Sequence, residues 1–458
     1  MDRRDFLKAI GQGVVSISLC GCISSSKKTE AAKSPDKSNI IIVLCDDLGY
    51  GDLACYEHPH IKTPNIDKLA QEGMRLTNCY AAAPVCSPSR AAILTGRTPY
   101  RCGIYDWIPN DSAMHLTKNE ITIAALLKKA GYETCHVGKW HCNGKFNSPE
   151  QPQPGDHGFD YWFSTQNNAS PSHHNPKNFV RNGQPVGELQ GYSSELVVRE
   201  AIDWLQNKWD RSKPFFLFVC FHSPHEPLAT DPKFMDMYQG RDEAIYYGNV
   251  TQLDYEFGRL IETVDEMNLR DKTFVMFTSD NGPERRNRYQ GSQRSFGSPG
   301  ELQGMKLDMY EGGIRVPGII RWPGNAKAGS VCHEPVSNID VLPTLCAIAG
   351  VEVLKDRPID GANFLPIFEG NKINRKTPLY WRYDKATSKP YTVAMRQDDW
   401  KILADNQMTK FELYNLRRDP AEKHNLTENQ PRRLEAMKKI LAKLHAEIDV
   451  EGPKWERK

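Results

Sequence analysis

The chain has 458 residues, a formal net charge of +2 and 39% hydrophobic residues. That length buries a large core and exceeds one minimal domain, so one large domain with a smaller one is the natural organisation. Near-neutral charge, with no basic arm or repeat beyond the N-terminus, leaves no electrostatic footprint for nucleic acid.

Residues 1–22 read as targeting. Arg3 and Arg4 precede an apolar stretch, Ala9 to Leu19, as in a twin-arginine export signal, and the stretch is too short to span a bilayer permanently. Leu19-Cys20-Gly21-Cys22 resembles a lipobox with Cys22 as the acylated residue; a signal cleaved without lipidation accounts for the same residues. The favoured reading is a periplasmic or membrane-anchored lipoprotein of a bacterial envelope, with membrane contact only through that N-terminal anchor. Residues 23–38, rich in Ser, Lys and Ala, form a flexible tether. The twelve cysteines lack small-domain spacing and several sit in apolar runs, so most are buried hydrophobes, with one or two bridges possible.

From Asn39 the chain alternates strands with helices. Asn39 to Cys45, Tyr132 to Val137, Pro214 to Phe221 and Thr273 to Thr278 are β-rich apolar runs of the kind buried on both faces. Between them lie helical patterns at Asn65 to Gly73, Ile121 to Gly131, Ser193 to Trp209 and Gly248 to Met267. This alternation predicts an α/β fold with a mainly parallel central sheet sandwiched by helices, over residues 39–370. From about Thr377 the pattern changes to short alternating strands, ending in a charged helix from Pro431 to Ile448. Residues 371–458 are therefore expected to form a small antiparallel sheet with a covering helix.

All four strands run into polar residues. The first ends in Asp46 and Asp47, the second in Lys139-Trp140-His141, the third in His222 to Pro227, the fourth in Asp280 and Asn281. In parallel sheets ligands bind beyond the carboxyl ends of strands. One acidic pair there is usually a turn or a cap, but four such ends describe an active site. Asp46, Asp47, Asp280 and Asn281 offer hard oxygen ligands without thiolate or imidazole, a set that suits calcium or magnesium rather than zinc. Cys86 and Arg90 fall near the start of a helix whose amides and dipole favour an anion, with Pro88 in its first turn and Gly96 as its stop. A lone cysteine there can be packing or a thiol nucleophile; a thiolate is a poor partner for an oxygen-ligated cation.

Cys86-Ser87-Pro88-Ser89-Arg90 resembles the C-x-P-x-R signature of type I (formylglycine-dependent) sulfatases, of the arylsulfatase and N-acetylgalactosamine-6-sulfatase kind, within the alkaline-phosphatase-like superfamily. The blocks at Asp46 to Asp52, Gly138 to His141, His222 to Pro227, Asp280 to Gly282, Gly304 to Lys306 and Tyr310 to Pro317 are similar to that family's, in the same order. The resemblance implies a sulfuric ester hydrolase in which a maturase converts Cys86 to formylglycine. One hydroxyl of its hydrate attacks sulfur; the other then loses a proton, sulfate leaves and the aldehyde returns. It further implies one calcium per chain, held by Asp46, Asp47, Asp280, Asn281 and the group derived from Cys86. Arg90, Lys139 and Lys306 would clamp sulfate oxygens, His225 would protonate the leaving oxygen, and His141 would assist collapse of the intermediate.

The expected substrate is a sulfated carbohydrate, with a galactose- or N-acetylgalactosamine-type residue as the guess. Asp160 to Asn182, together with Arg382 and Tyr383, are candidates for the sugar subsites. Two readings compete: a formylglycine-type phosphonate or phosphodiester hydrolase, and a non-catalytic lipoprotein that binds sulfated glycans.

Overall fold

The computed structural model describes residues 37–455. The expected export signal and lipobox lie outside the described residues. Seven strands carry the main sheet: β1 (Asn39–Cys45), β2 (Met74–Tyr80), β3 (Glu133–Lys139), β4 (Tyr161–Thr165), β5 (Phe215–Cys220), β6 (Thr273–Ser279) and β7 (Arg315–Arg321). Their spatial order is β2-β7-β6-β1-β5-β3-β4, with short strands extending both edges. β1 runs parallel to β5 and β6, and β3 runs parallel to β4 and β5; β7 is antiparallel to both its neighbours.

β1 shows why an unbroken apolar run becomes the centre of the sheet. Successive side chains alternate faces, so Ile40, Ile42 and Leu44 join a core with Leu94, Ile123 and Leu342, while Ile41 and Val43 join another with Val197, Leu253 and Phe257. Helices Cys86–Thr95, Ile123–Lys129 and Val341–Ala349 cover one face; Pro64–Glu72, Ser193–Asp203 and Ala244–Glu266 cover the other. Truncating a residue such as Ile41 to alanine in this two-sided core costs about 2–5 kcal/mol.

The four strands expected from sequence are present, and three more were not anticipated. β7 contains Pro317 and Gly318, which mask a strand signal, and β2 reads Met-Arg-Leu-Thr-Asn-Cys-Tyr without clean alternation. The helix expected from Ser193 to Trp209 stops as an α-helix at Asp203 and continues as a π-helical turn, Trp204–Lys208. The helix expected from Gly248 begins earlier, at Ala244. The ten cysteines within the described residues are all free.

A second sheet, β8 (Leu379–Arg382), β9 (Val393–Gln397), β10 (Trp400–Ala404) and β11 (Phe411–Asn415), is antiparallel throughout. Helix Pro431–Asp449 packs Met437, Leu441, Leu444 and Ile448 onto one face of it, with Val393, Met395 and Ile402. Trp381, Ala394 and Leu403 of the opposite face share a cluster with Tyr80, Cys86 and Ala92, so this sheet supports the helix that starts at Cys86.

Candidate active site

Strand register assembles the site. Cys45 pairs with Ser279 across β1 and β6, and Leu44 and Gly138 both pair with Cys220 of β5. The residues just beyond these pairs, Asp46, Asp47, Asp280, Asn281 and Lys139, therefore emerge along one edge of the sheet. Gly138 is required for this alignment: its φ is 101°, and a Cβ there would lie 1.8 Å from the Cys220 carbonyl oxygen. Asp47 and His141 take left-handed backbone angles, φ 64° and 52°, a strain that surrounding structure must hold.

Helix Cys86–Thr95 points its N-terminus at these carboxylates and is buried along its whole length. Gly96, at φ 67°, ends it by donating to the Ala92 carbonyl. Ligand atoms of Asp46, Cys86 and Asp280 lie within 4.8 Å of one another, and so do those of Asp46, Asp47 and His225. Arg90, one helical turn beyond Cys86, sets its guanidinium on Asp280, with Nε 2.8 Å and Nη2 2.7 Å from Oδ2. Lys139 Nζ donates to Asp46 Oδ2 at 2.7 Å, and Lys306 Nζ lies 2.7 Å from Asp47 Oδ1. Glu284, not singled out from sequence, is a further acidic neighbour of Lys306 at 3.7 Å.

The electrostatics describe a site crowded with charge. Burial alone would raise Asp46, but Lys139, His225, Arg90 and Lys306 hold it well below the usual carboxylate range. Burial and the Asp46 carboxylate push Asp280 up to about 7 despite Arg90. Burial pushes the Cys86 thiol up, against the pull of Lys139 and Lys306, so a plain thiol here is a weak nucleophile at neutral pH. Burial opposes the charge on Lys306, yet Asp47 and its neighbours raise its pKa well above the ordinary value.

The oxygen donors fit a hard divalent cation. Asp46 Oδ1 and Asn281 Oδ1 are buried without a hydrogen-bond partner, a costly arrangement that a cation between the acids resolves. A divalent charge also removes the Asp46–Asp280 repulsion.

The histidines divide by environment. His141 Nε2 faces the Ile108 carbonyl at 3.0 Å and must donate to it, which leaves Nδ1, buried and unpartnered, as the bare nitrogen of the neutral ring. His225 donates from Nδ1 to the Glu226 carbonyl, keeps 13% of its side chain exposed, and places Nε2 3.6 Å from Asp47 Oδ2. Burial, then Lys306, depresses its pKa to about 3. His222 is fully buried against Thr165 Oγ1, 2.8 Å away, in a structural position. Trp140 packs beside the site on His136 and Phe159, and Trp204 and Trp209 pack on Phe215 in the core.

The segment 160–182 is split. Asn167, Asn168 and Asn178 line a cavity of about 500 Å³, whereas Trp162 packs on Phe146, His173 is buried near His222 and Arg181 is spent on Glu200. Arg382 pairs with Asp384 and Asp449, and Tyr383 donates its hydroxyl to Asp106 at 3.0 Å.

Comparison with known proteins identifies the family. The family model described as Sulfatase matches residues 38–351, and one described as N-sulphoglucosamine sulphohydrolase, C-terminal, matches residues 305–451. Human N-acetylgalactosamine-6-sulfatase is 34% identical over 378 residues, covering 77% of this chain and 70% of the relative. Steryl-sulfatase of Rattus norvegicus is 30% identical over 529 residues, covering 91% and 90%. Among solved structures, Ps i-CgsB in complex with k-i-k-neocarrahexaose superimposes with a TM-score of 0.81 at 31% identity, covering 92% of this chain and 95% of that one. With its mainly parallel sheet, its C-terminal antiparallel sheet and a sulfatase match over most of its length, the chain belongs to the sulfatase family and is a sulfatase enzyme.

Proposed function

We propose that this sulfatase removes sulfate from a sulfated carbohydrate with a formylglycine made from Cys86 and one calcium ion. The observation that carries the reading is the convergence of Cys86 with four oxygen donors and three cations, Arg90, Lys139 and Lys306, in one buried cluster. Four cation-binding oxygens beside three positive side chains suit a small, oxygen-rich anion. The printed descriptions of the relatives, an N-acetylgalactosamine-6-sulfatase and a complex with a neocarrahexaose, support a sulfated sugar.

Asp46, Asp47, Asp280 and Asn281 would hold the calcium, which supplies positive charge that neutralises sulfate and favours deprotonation of the nucleophile. Position 86, once matured, supplies the attacking hydroxyl at the positive end of its helix. Lys139, paired with Asp46, and Lys306, paired with Asp47, each present an ammonium to the sulfate oxygens. Arg90 holds Asp280 in place and reaches towards position 86 from one turn down the same helix. His225, as the protonated ring, delivers a proton from Nε2 to the leaving oxygen; the negative charge of bound sulfate offsets the lysine charge that depresses its pKa. His141 Nδ1 takes the proton whose loss expels sulfate.

Export through residues 1–22, lipid anchoring at Cys22 and modification by a cytosolic maturase before folding complete the proposal. They place the enzyme at the cell envelope, consistent with a twin-arginine route that carries folded proteins. Residues 39–370 and 371–458 are the proposed catalytic and C-terminal units. The test is release of sulfate against phosphate from matched aryl esters, followed by a screen of sulfated sugars. Sulfate release that dominates and extends to sugars supports the reading; phosphate release that dominates, or activity on aryl sulfates alone, defeats it.

A further inference from the structure

Trp107 is the most exposed tryptophan among the described residues, with 46% of its surface accessible. It lies on a ridge between two cavities and lines both. On one side is a cavity of about 1050 Å³ whose walls include Tyr105, His115, Lys385 and Trp455; on the other is the 500 Å³ cavity of Asn167, Asn168 and Asn178. An isolated exposed aromatic needs no explanation in itself. This one is tied to the reaction centre by its neighbours on both sides.

The next residue, Ile108, is fully buried. Its N–H donates to Ser87 Oγ at 3.0 Å, one residue from Cys86, and its carbonyl accepts from His141 Nε2 at 3.0 Å and Gln166 Nε2 at 3.1 Å. The preceding residue, Asp106, accepts from the Trp107 N–H at 2.8 Å and from the Tyr383 hydroxyl, and Tyr383 packs in the same cluster as Cys86. The indole therefore rides on backbone clamped to the nucleophile position and to His141. The smaller cavity also adjoins the centre: Asn168 Nδ2 donates to the Glu226 carbonyl at 3.0 Å, the same carbonyl that receives His225 Nδ1. Asn167 and Asn168 line the smaller cavity, and their buried amide oxygens have no partner in the chain.

We propose that Trp107 is a stacking platform for a sugar ring and that the two cavities flanking it hold neighbouring residues, so that the enzyme recognises an extended sulfated glycan chain rather than one sulfated sugar. An apolar ring face stacks on an indole at small entropic cost, because tryptophan has only two side-chain torsions. Asparagine amides on one side read hydroxyls. Lys385, on the other side, pairs its ammonium with Asp106 Oδ2 at 2.5 Å yet keeps 70% of its side chain exposed, so it still presents positive charge to further sulfates or carboxylates. This inference rests on the proposed carbohydrate specificity and deepens it.

The test uses the whole chain carrying Cys86→Ala, so that ligand is bound and not consumed. Affinities of chondroitin 6-sulfate and ι-carrageenan oligosaccharides are measured by calorimetry, comparing disaccharide with hexasaccharide. At least one hexasaccharide should bind about tenfold more tightly than its disaccharide. Adding Trp107→Ala should abolish that length dependence, and Trp107→Phe should restore most of it, which a purely structural role would not do. Equal affinity for both lengths, no binding of either hexasaccharide, or no effect of Trp107→Ala would overturn the proposal. Failure of the matured wild-type enzyme to release sulfate would strike the proposed function instead, since the binding measurement does not depend on turnover.

Discussion

Arg90 links the helix that carries Cys86 to Asp280 at the end of the sheet, with two guanidinium nitrogens 2.8 and 2.7 Å from one carboxylate oxygen. The link joins the proposed nucleophile position to the proposed cation donors. Replacing a member of that pair disturbs both halves of the proposed chemistry.

Chelation should therefore inactivate and destabilise together. Calcium that binds only the folded state adds about 2.7 kcal/mol at a concentration of 100 times its dissociation constant. EGTA-treated enzyme should lose activity and melt at a lower temperature, with both recovered on adding calcium. In Asp280→Asn the calcium-dependent rise in melting temperature should shrink sharply. An unchanged calcium response in that variant would remove Asp280 from the ligand set.

His225→Gln should separate leaving groups. A sugar alkoxide needs a proton and should lose about 10²–10⁴-fold in kcat, whereas a nitrophenolate leaves without one and should lose far less. Equal losses on sugar and nitrophenyl sulfates would mean that His225 binds sulfate rather than donating a proton.

Lys401 is fully buried between Glu311 and Glu422, 3.0 and 2.8 Å away. It joins the C-terminal sheet to the segment that opens β7. Lys401→Met leaves two acids facing each other in a dry interface and should cost about 3–5 kcal/mol, read by chemical denaturation. A loss below 1 kcal/mol would show that the acids relax into solvent.

Glu422 carries a pH signature. Burial, opposed by Lys401 and reinforced by Glu311, raises its pKa from 4.5 to about 7. The folded protein thus keeps a proton that the unfolded chain releases above 4.5. Stability from this group is complete below that pH and is lost as pH rises through about 7. Glu422→Gln mimics the protonated form, so its melting temperature should fall less steeply across this window than that of the wild type. Parallel profiles would place the titration elsewhere.

The clustering of the candidate site was largely legible in sequence because its residues terminate strands. Asp46, Lys139 and Asp280 each follow an apolar run that can hardly be anything but a buried strand, so their shared edge follows from the parallel sheet. Trp107 was invisible because Thr98 to Asn110 has no period; the role proposed for it depends on Ile108 meeting Ser87 and His141, contacts across 21 and 33 residues. β7 hid behind Pro317 and Gly318, and nothing in the local sequence marks Lys401, whose two acids come from distant segments.

The most direct test of the central claim is the mass of the peptide that carries Cys86, taken from active protein made in a maturase-containing host. A loss of about 18 Da relative to the cysteine form, with sulfate release tracking the modified fraction, is the predicted result. An unmodified thiol in fully active enzyme would contradict the account, because the buried Cys86 would then have to act as the protonated sulfur nucleophile that its surroundings disfavour.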